Sequence, residues 1–155
     1  MVTRARLIVI GVAVVLVTAL ALRYLAYADV GSGCYIFIRL SFVGDSNTTI
    51  KRALETLKHG SPDDYRKVCT HVATINPNPS CGGFGGGCFW YNKDNRTRGT
   101  IDVSTENGLI STVGIIVHET CHAIQFQEGR PAGHDLETEC YREDDRILRA
   151  LVRFE

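Results

Sequence analysis

Two histidines one helical turn apart, with a glutamate beside the first, are the residues of this chain best suited to chemistry: His118-Glu119-Thr120-Cys121-His122. Positions i and i+4 of a helix share a face, so both imidazoles can point at one ion. Two imidazoles at that spacing suit tetrahedral zinc. Glu119 projects beside them, where it can take a proton from a zinc-bound water. The flanking residues are apolar, Val113-Gly114-Ile115-Ile116-Val117 before and Ala123-Ile124 after. A helix of that composition is mostly buried, and a buried histidine pair needs polar partners, which a metal supplies. The expected chemistry is metal-assisted hydrolysis, with Glu119 as general base and His118 and His122 as metal ligands.

A catalytic site of this kind needs a third protein ligand and one open position. Candidate ligands cluster downstream, in His134-Asp135-Leu136-Glu137-Thr138-Glu139-Cys140-Tyr141-Arg142-Glu143. With the histidine pair, this stretch resembles the gluzincin branch of the HExxH zinc metallopeptidases, over residues 99–143. In that branch a glutamate on a following helix completes the site, and an acidic residue four positions later hydrogen-bonds a ligand histidine. The resemblance implies Glu139 as third metal ligand and Glu143 as the hydrogen-bonding partner, although aspartate is commoner at the latter position. Glu137 is the first alternative for the ligand; His134 or Asp135 is the second. The glycine and third histidine of metzincins are absent, since Gln125 and Glu128 stand in their places.

The resemblance also implies a small zincin-like domain and an edge strand that binds extended peptide by β-augmentation, carried over to residues 99–105 as a region. Tyr141 and His134 are suggested only by position as stabilisers of the transition state. The implied activity is a zinc-dependent peptidase acting on peptide or protein substrates. Two alternatives stand beside it: a metal-dependent amidase acting on cell-wall material, and a catalytically silent metal-binding domain. An intact Glu119 speaks against the silent domain, because a purely structural site needs no base. In so small a domain the cleft is expected to be shallow, or completed by a partner.

The elements that must position these residues read as α+β. Residues 34–43 (CYIFIRLSFV) read as a strand. A helix is predicted near 48–59, with Ile50, Ala53, Leu54 and Leu57 at helical spacing and Gly60 at its C-terminal cap. Ser61 and Pro62 start a second helix with an apolar stripe of Tyr65, Val68, Cys69, Val72 and Ile75. Asn76-Pro77-Asn78-Pro79 stops it. Residues 82–87 (GGFGGG) read as a loop closed by a local Cys81–Cys88 disulfide, because the lysine and Ser/Thr of a phosphate loop are missing. Short strands are predicted at 88–92 and 99–105, and two long helices near 109–127 and 135–153.

The chain has 155 residues, 45% of them apolar and 22% charged, with 17 basic and 17 acidic side chains. This fits one domain with a short N-terminal segment, and the balanced charge gives no basis for a nucleic-acid partner. In residues 1–28, Arg4 and Arg6 precede an uncharged run over residues 7–22, followed by Arg23 and Ala26-Tyr27-Ala28. That pattern is a secretory signal peptide cut after Ala28, or a signal anchor spanning from about residue 7 to 28. Either reading puts residues 29–155 outside the cytoplasm, secreted, periplasmic or membrane-anchored. The six cysteines all follow this segment, and an even count in a small exported domain suggests up to three disulfides. If the ligands of the two long helices converge on one ion, Cys121 and Cys140 come close enough to pair. Asn47-Thr48-Thr49 and Asn95-Arg96-Thr97 match the glycosylation acceptor pattern.

Overall fold

The computed structural model describes residues 2–41, 44–82, 86–92, 95–130 and 134–152, with only the backbone for a few of these, His134 among them. In chain order these form α1 (Val2–Leu25), β1 (Ala26–Asp29), β2 (Cys34–Ile38), α2 (Ser46–Gly60) and α3 (Pro62–His71). β3 (Val72–Pro77), β4 (Gly87–Asn92), β5 (Asn95–Val103), α4 (Gly108–Gln127) and α5 (His134–Val152) follow. The described chain is therefore α+β: five helices and one mixed sheet of five strands, in the order β1-β2-β3-β5-β4. β1 pairs antiparallel with β2, β3 runs parallel to both β2 and β5, and β4 closes the sheet antiparallel to β5.

Periodicity decides which face of each element is covered. In β2 the odd-even pattern buries Cys34, Ile36 and Ile38 and leaves Tyr35 and Phe37 in solvent. In α2 the stripe Ile50, Ala53, Leu54 and Leu57 is fully buried. Helix α4 is the hub, packing against α2, α3, α5, β4 and β5. Eleven of its residues are buried, so its polar members, His118 and Glu119 among them, sit inside the domain.

Three disulfides join this framework: Cys34–Cys69 between β2 and α3, Cys81–Cys88 across the glycine-rich turn, and Cys121–Cys140 between α4 and α5. All six cysteines are bonded, which fits an oxidising, extracytoplasmic environment.

Several sequence expectations are corrected. The second helix ends at His71, and Val72 and Ile75 belong to β3 rather than to a helical stripe. Their i, i+3 spacing fits either period, and the parallel pairing with β2 and β5 settles it in favour of the strand. Gly60 is the last residue of α2, not a left-handed cap. A Cβ there would stand 2.6 Å from Leu151, so the glycine makes room for α5. The segment 1–28, read as a targeting sequence, also supplies three of the four residues of β1, Ala26 to Ala28. Asn47 is 1% exposed and its Oδ1 accepts from the Ser41 amide, so it offers no glycosylation site. The Asn95 side chain and residues 42–43, 83–85, 131–133 and 153, on which other expectations fall, lie outside the described residues.

Candidate metal centre

The apolar register of α4 turns one side of the helix toward the sheet and another toward α5, and the histidine pair lies on the second. His118 is 8% exposed; the Nε2 atoms of His118 and His122 face each other at 3.2 Å. Across from them, on the first turn of α5, the Glu137 carboxylate spans both rings. Its Oε1 is 3.3 Å from His118 Nε2 and its Oε2 is 3.0 Å from His122 Nε2. Among the described residues these three side chains form a group able to hold a metal ion.

Their separations fit such an ion. Ligand atoms at about 2.0–2.1 Å from a tetrahedral centre stand about 3.3 Å from one another. The protonation states fit as well. Burial, and then the neighbouring His122, holds His118 below its ordinary pKa, with Glu137 only partly offsetting this. The neutral ring is the form that binds metals. Gln125, 3% exposed and one turn after His122, places its Oε1 3.1 Å from His122 Nδ1. Donation from Nδ1 to that oxygen leaves the Nε2 lone pair turned toward Glu137.

Glu139 and Glu143 are elsewhere. Residues 137 and 139 are about 200° apart around a helix. Glu139 accordingly sits away from the histidines, ion-paired with Arg130 and accepting from Gln125 Nε2 at 3.2 Å. Arg130 holds its carboxyl below the usual range. The expectation for Glu139 is corrected to this extent: the carboxylate that stands with the two histidines is Glu137. Glu139 acts on the pair only at second hand, through the Gln125 amide that touches His122. Glu143 is corrected likewise: it binds Arg146 and lies 3.7 Å from Lys67, with no contact to either histidine. Asp135 is an exposed residue of the first turn of α5, and the His134 side chain lies outside the described residues.

A cleft of about 770 Å³ opens over the histidines, lined by Gly87 and Phe89 of β4, His118 and Glu119 of α4, and Glu137 and Tyr141 of α5 among others. Tyr141 is exposed, its ring 4.7 Å from that of His118. Glu119 is 4% exposed, and burial, followed by the charges of Glu137 and Asp102, pushes its carboxyl up to about 8. Three carboxylates line this cleft, Glu119, Glu137 and Asp144, with no lysine or arginine lining it among the described residues. A cation beside Glu119 and Glu137 would favour the charged carboxylate and lower the Glu119 pKa.

The strand expected to receive a peptide is corrected too. Residues 99–103 belong to β5, which is hydrogen-bonded on one side to β3 and on the other to β4. It has no free edge to offer. β4 stands at the end of the sheet order and borders the cleft. Gly87 brings its backbone close to the base. A Cβ there would stand 2.8 Å from Glu119 Oε1, 2.9 Å from the Asp102 carbonyl and 2.5 Å from Ile115.

The roles of Gln125 and Gly87 were not read from the sequence. Gln125 lies three residues after a ligand histidine, within reach of it on a helix, and that spacing was the signal. Comparison of the chain with protein-family models, with curated proteins and with solved structures finds no match in any of the three.

Proposed function

We propose that this chain is a zinc-dependent metallopeptidase of the HExxH type, with a zincin-like domain that works outside the cytoplasm. The observation that carries the reading is the mutual 3.0–3.3 Å spacing of His118 Nε2, His122 Nε2 and the Glu137 carboxylate, beside a buried Glu119 in one open cleft. Two imidazoles and one carboxylate are a zinc donor set that leaves a position open.

His118, His122 and Glu137 would hold the ion. Bound there, zinc supplies a Lewis acid that polarises a scissile carbonyl and acidifies water. Glu119 accepts the proton of the attacking water on its carboxylate and hands it to the leaving amine. Gln125 keeps the His122 ring in its ligand tautomer. Tyr141, whose ring stands against that of His118, would hydrogen-bond a substrate carbonyl. Gly87 lets the peptide-bearing edge of β4 approach the base without a side chain between them. An extended substrate laid antiparallel or parallel along β4 would pair with its backbone and cross the site.

The test is direct. The purified protein should contain one zinc per chain, cleave members of a peptide library, and lose cleavage in Glu119→Gln while keeping its zinc. Stoichiometric zinc without cleavage of any peptide by the wild type would remove the peptidase reading. Absence of zinc after exposure to it would remove the metal centre itself.

A further inference from the structure

Helix α1 passes without a linker into β1: Leu25 is its last residue and Ala26 the first of the strand. Within it, Ile8–Leu25 is long and apolar enough to cross a membrane, and none of that stretch is buried against the rest of the chain. Exposed apolar side chains follow one another along it, Val9, Ile10, Val12, Val14, Val15 and Leu16 among them, so every face is apolar. A helix apolar all round is stable only inside protein or lipid. At about 1.5 Å per residue the 18 residues of Ile8–Leu25 run about 27 Å, close to a hydrocarbon core of about 30 Å.

A cleaved signal and a retained anchor share these properties, and β1 separates them. A cut after Ala28 would remove three of the four β1–β2 pairs, Ala26↔Phe37, Tyr27↔Ile36 and Ala28↔Tyr35, leaving Asp29↔Cys34 alone. It would also remove Tyr27, which is a core residue. Tyr27 is 6% exposed and its ring stands edge-on to Tyr65, with centroids 6.2 Å apart. Its hydroxyl donates to Glu55 at 2.8 Å and shares a hydrogen bond with the Tyr65 hydroxyl at 3.0 Å. The last turn of α1 is tied down as well: Lys51 of α2 donates to the Arg23 carbonyl and sits over the Tyr24 ring. Signal cleavage precedes folding, so access to the bond is not the issue. The difficulty lies in the product, a domain missing one strand and an aromatic side chain from its core.

We propose that residues 1–28 are retained in the mature protein and that α1 anchors the domain in a lipid bilayer, with β1 as the joint between them. The anchor enters at the β1 edge of the sheet, and the cleft lies at the β4 edge. Four strand spacings of about 4.8 Å separate the two, so β4 is carried about 19 Å across the sheet from the joint. This holds whether or not the metal centre hydrolyses anything.

The full chain with a C-terminal tag, expressed in a host with an export pathway, decides the matter by intact mass and by fractionation. The expected product keeps residues 1–28, stays in the membrane pellet through an alkaline carbonate wash, and is released by detergent. A product beginning at Asp29, or an intact chain freed by carbonate alone, overturns the proposal. Tyr27→Ala in the full chain supplies a second readout. It should lower the unfolding midpoint while leaving membrane attachment unchanged. An unchanged midpoint would mean that β1 is dispensable, and the proposal would fall.

Discussion

The Oε2 atom of Glu137 sits 3.0 Å from Nε2 of His122, across the seam between α5 and α4. The Cys121–Cys140 disulfide holds that seam shut, with Cα atoms 5.5 Å apart. Cys121 neighbours His122, and Cys140 lies three residues after Glu137 and so on the same face of α5. Once the sulfurs are joined, Glu137 is turned inward and Glu139 outward.

That geometry ranks the carboxylates. Glu137→Ala should weaken zinc binding by more than about 100-fold, because it deletes a ligand. Glu139→Gln should weaken it by no more than about 10-fold, because Glu139 acts only through Gln125. Competition with a chromogenic chelator measures both. The reverse order would restore Glu139 as the ligand.

Glu119→Gln should separate stability from activity. In the metal-free protein the Glu119 carboxyl holds its proton up to about pH 8, against 4.5 for the ordinary group. Between those values the folded state binds a proton that the unfolded chain has lost, so stability falls as pH rises through that window. The loss amounts to a few kcal/mol at most. Denaturant titrations of the metal-free wild type at pH 5 and pH 8 should show this decline, and Glu119→Gln should flatten it while abolishing hydrolysis. An equal decline in the variant would place its cause elsewhere.

Gly87→Ala should damage the site through the backbone. The new methyl would meet Ile115, Glu119 Oε1 and the Asp102 carbonyl, all within 2.9 Å. Two of these are side-chain atoms that can give way; the carbonyl belongs to the neighbouring strand and cannot yield cheaply. A cost of about 1–3 kcal/mol is expected, with reduced cleavage because the base is pushed aside. Wild-type thermal stability and turnover in the variant would show that β4 does not approach Glu119 so closely.

Acid should loosen the junction of α3 with α5. Asp64 is 2% exposed and accepts from Arg146 at 2.7 and 2.8 Å and from Ser61 at 2.6 Å. Burial disfavours its charge, but the hydrogen bonds from Arg146 and Ser61 outweigh that and leave its pKa below the ordinary value. The stability it contributes is complete above the unfolded value near 4 and is lost as pH falls below it. Asp64→Asn should cost about 2 kcal/mol at pH 7 and much less at pH 2, read from urea unfolding at both. A pH-independent cost would mean that packing, not charge, is what Asp64 provides.

How far the site was legible depends on the range over which each residue acts. The His118-Glu119-His122 constellation needs only one helical turn, and a turn is a local property of the chain. The apolar stripe of α2 and the alternation in β2 are local in the same way. The Cys81–Cys88 closure spans seven residues and could be read on the same grounds. The boundary between α3 and β3 could not, because Val72 and Ile75 satisfy both periods until β2 and β5 pair with the segment.

The sequence by itself determined the grouping of His118, Glu119 and His122 on one helical turn, the apolar N-terminal segment followed by six cysteines, and the α+β make-up. Each follows from residue type and near-neighbour spacing. Tertiary structure alone decided which glutamate meets the histidines, which strand borders the cleft, and that Tyr27 belongs to the folded core. Those depend on how distant segments rotate and pair, and a helix rotated by about 100° per residue exchanges one carboxylate for another without changing its pattern.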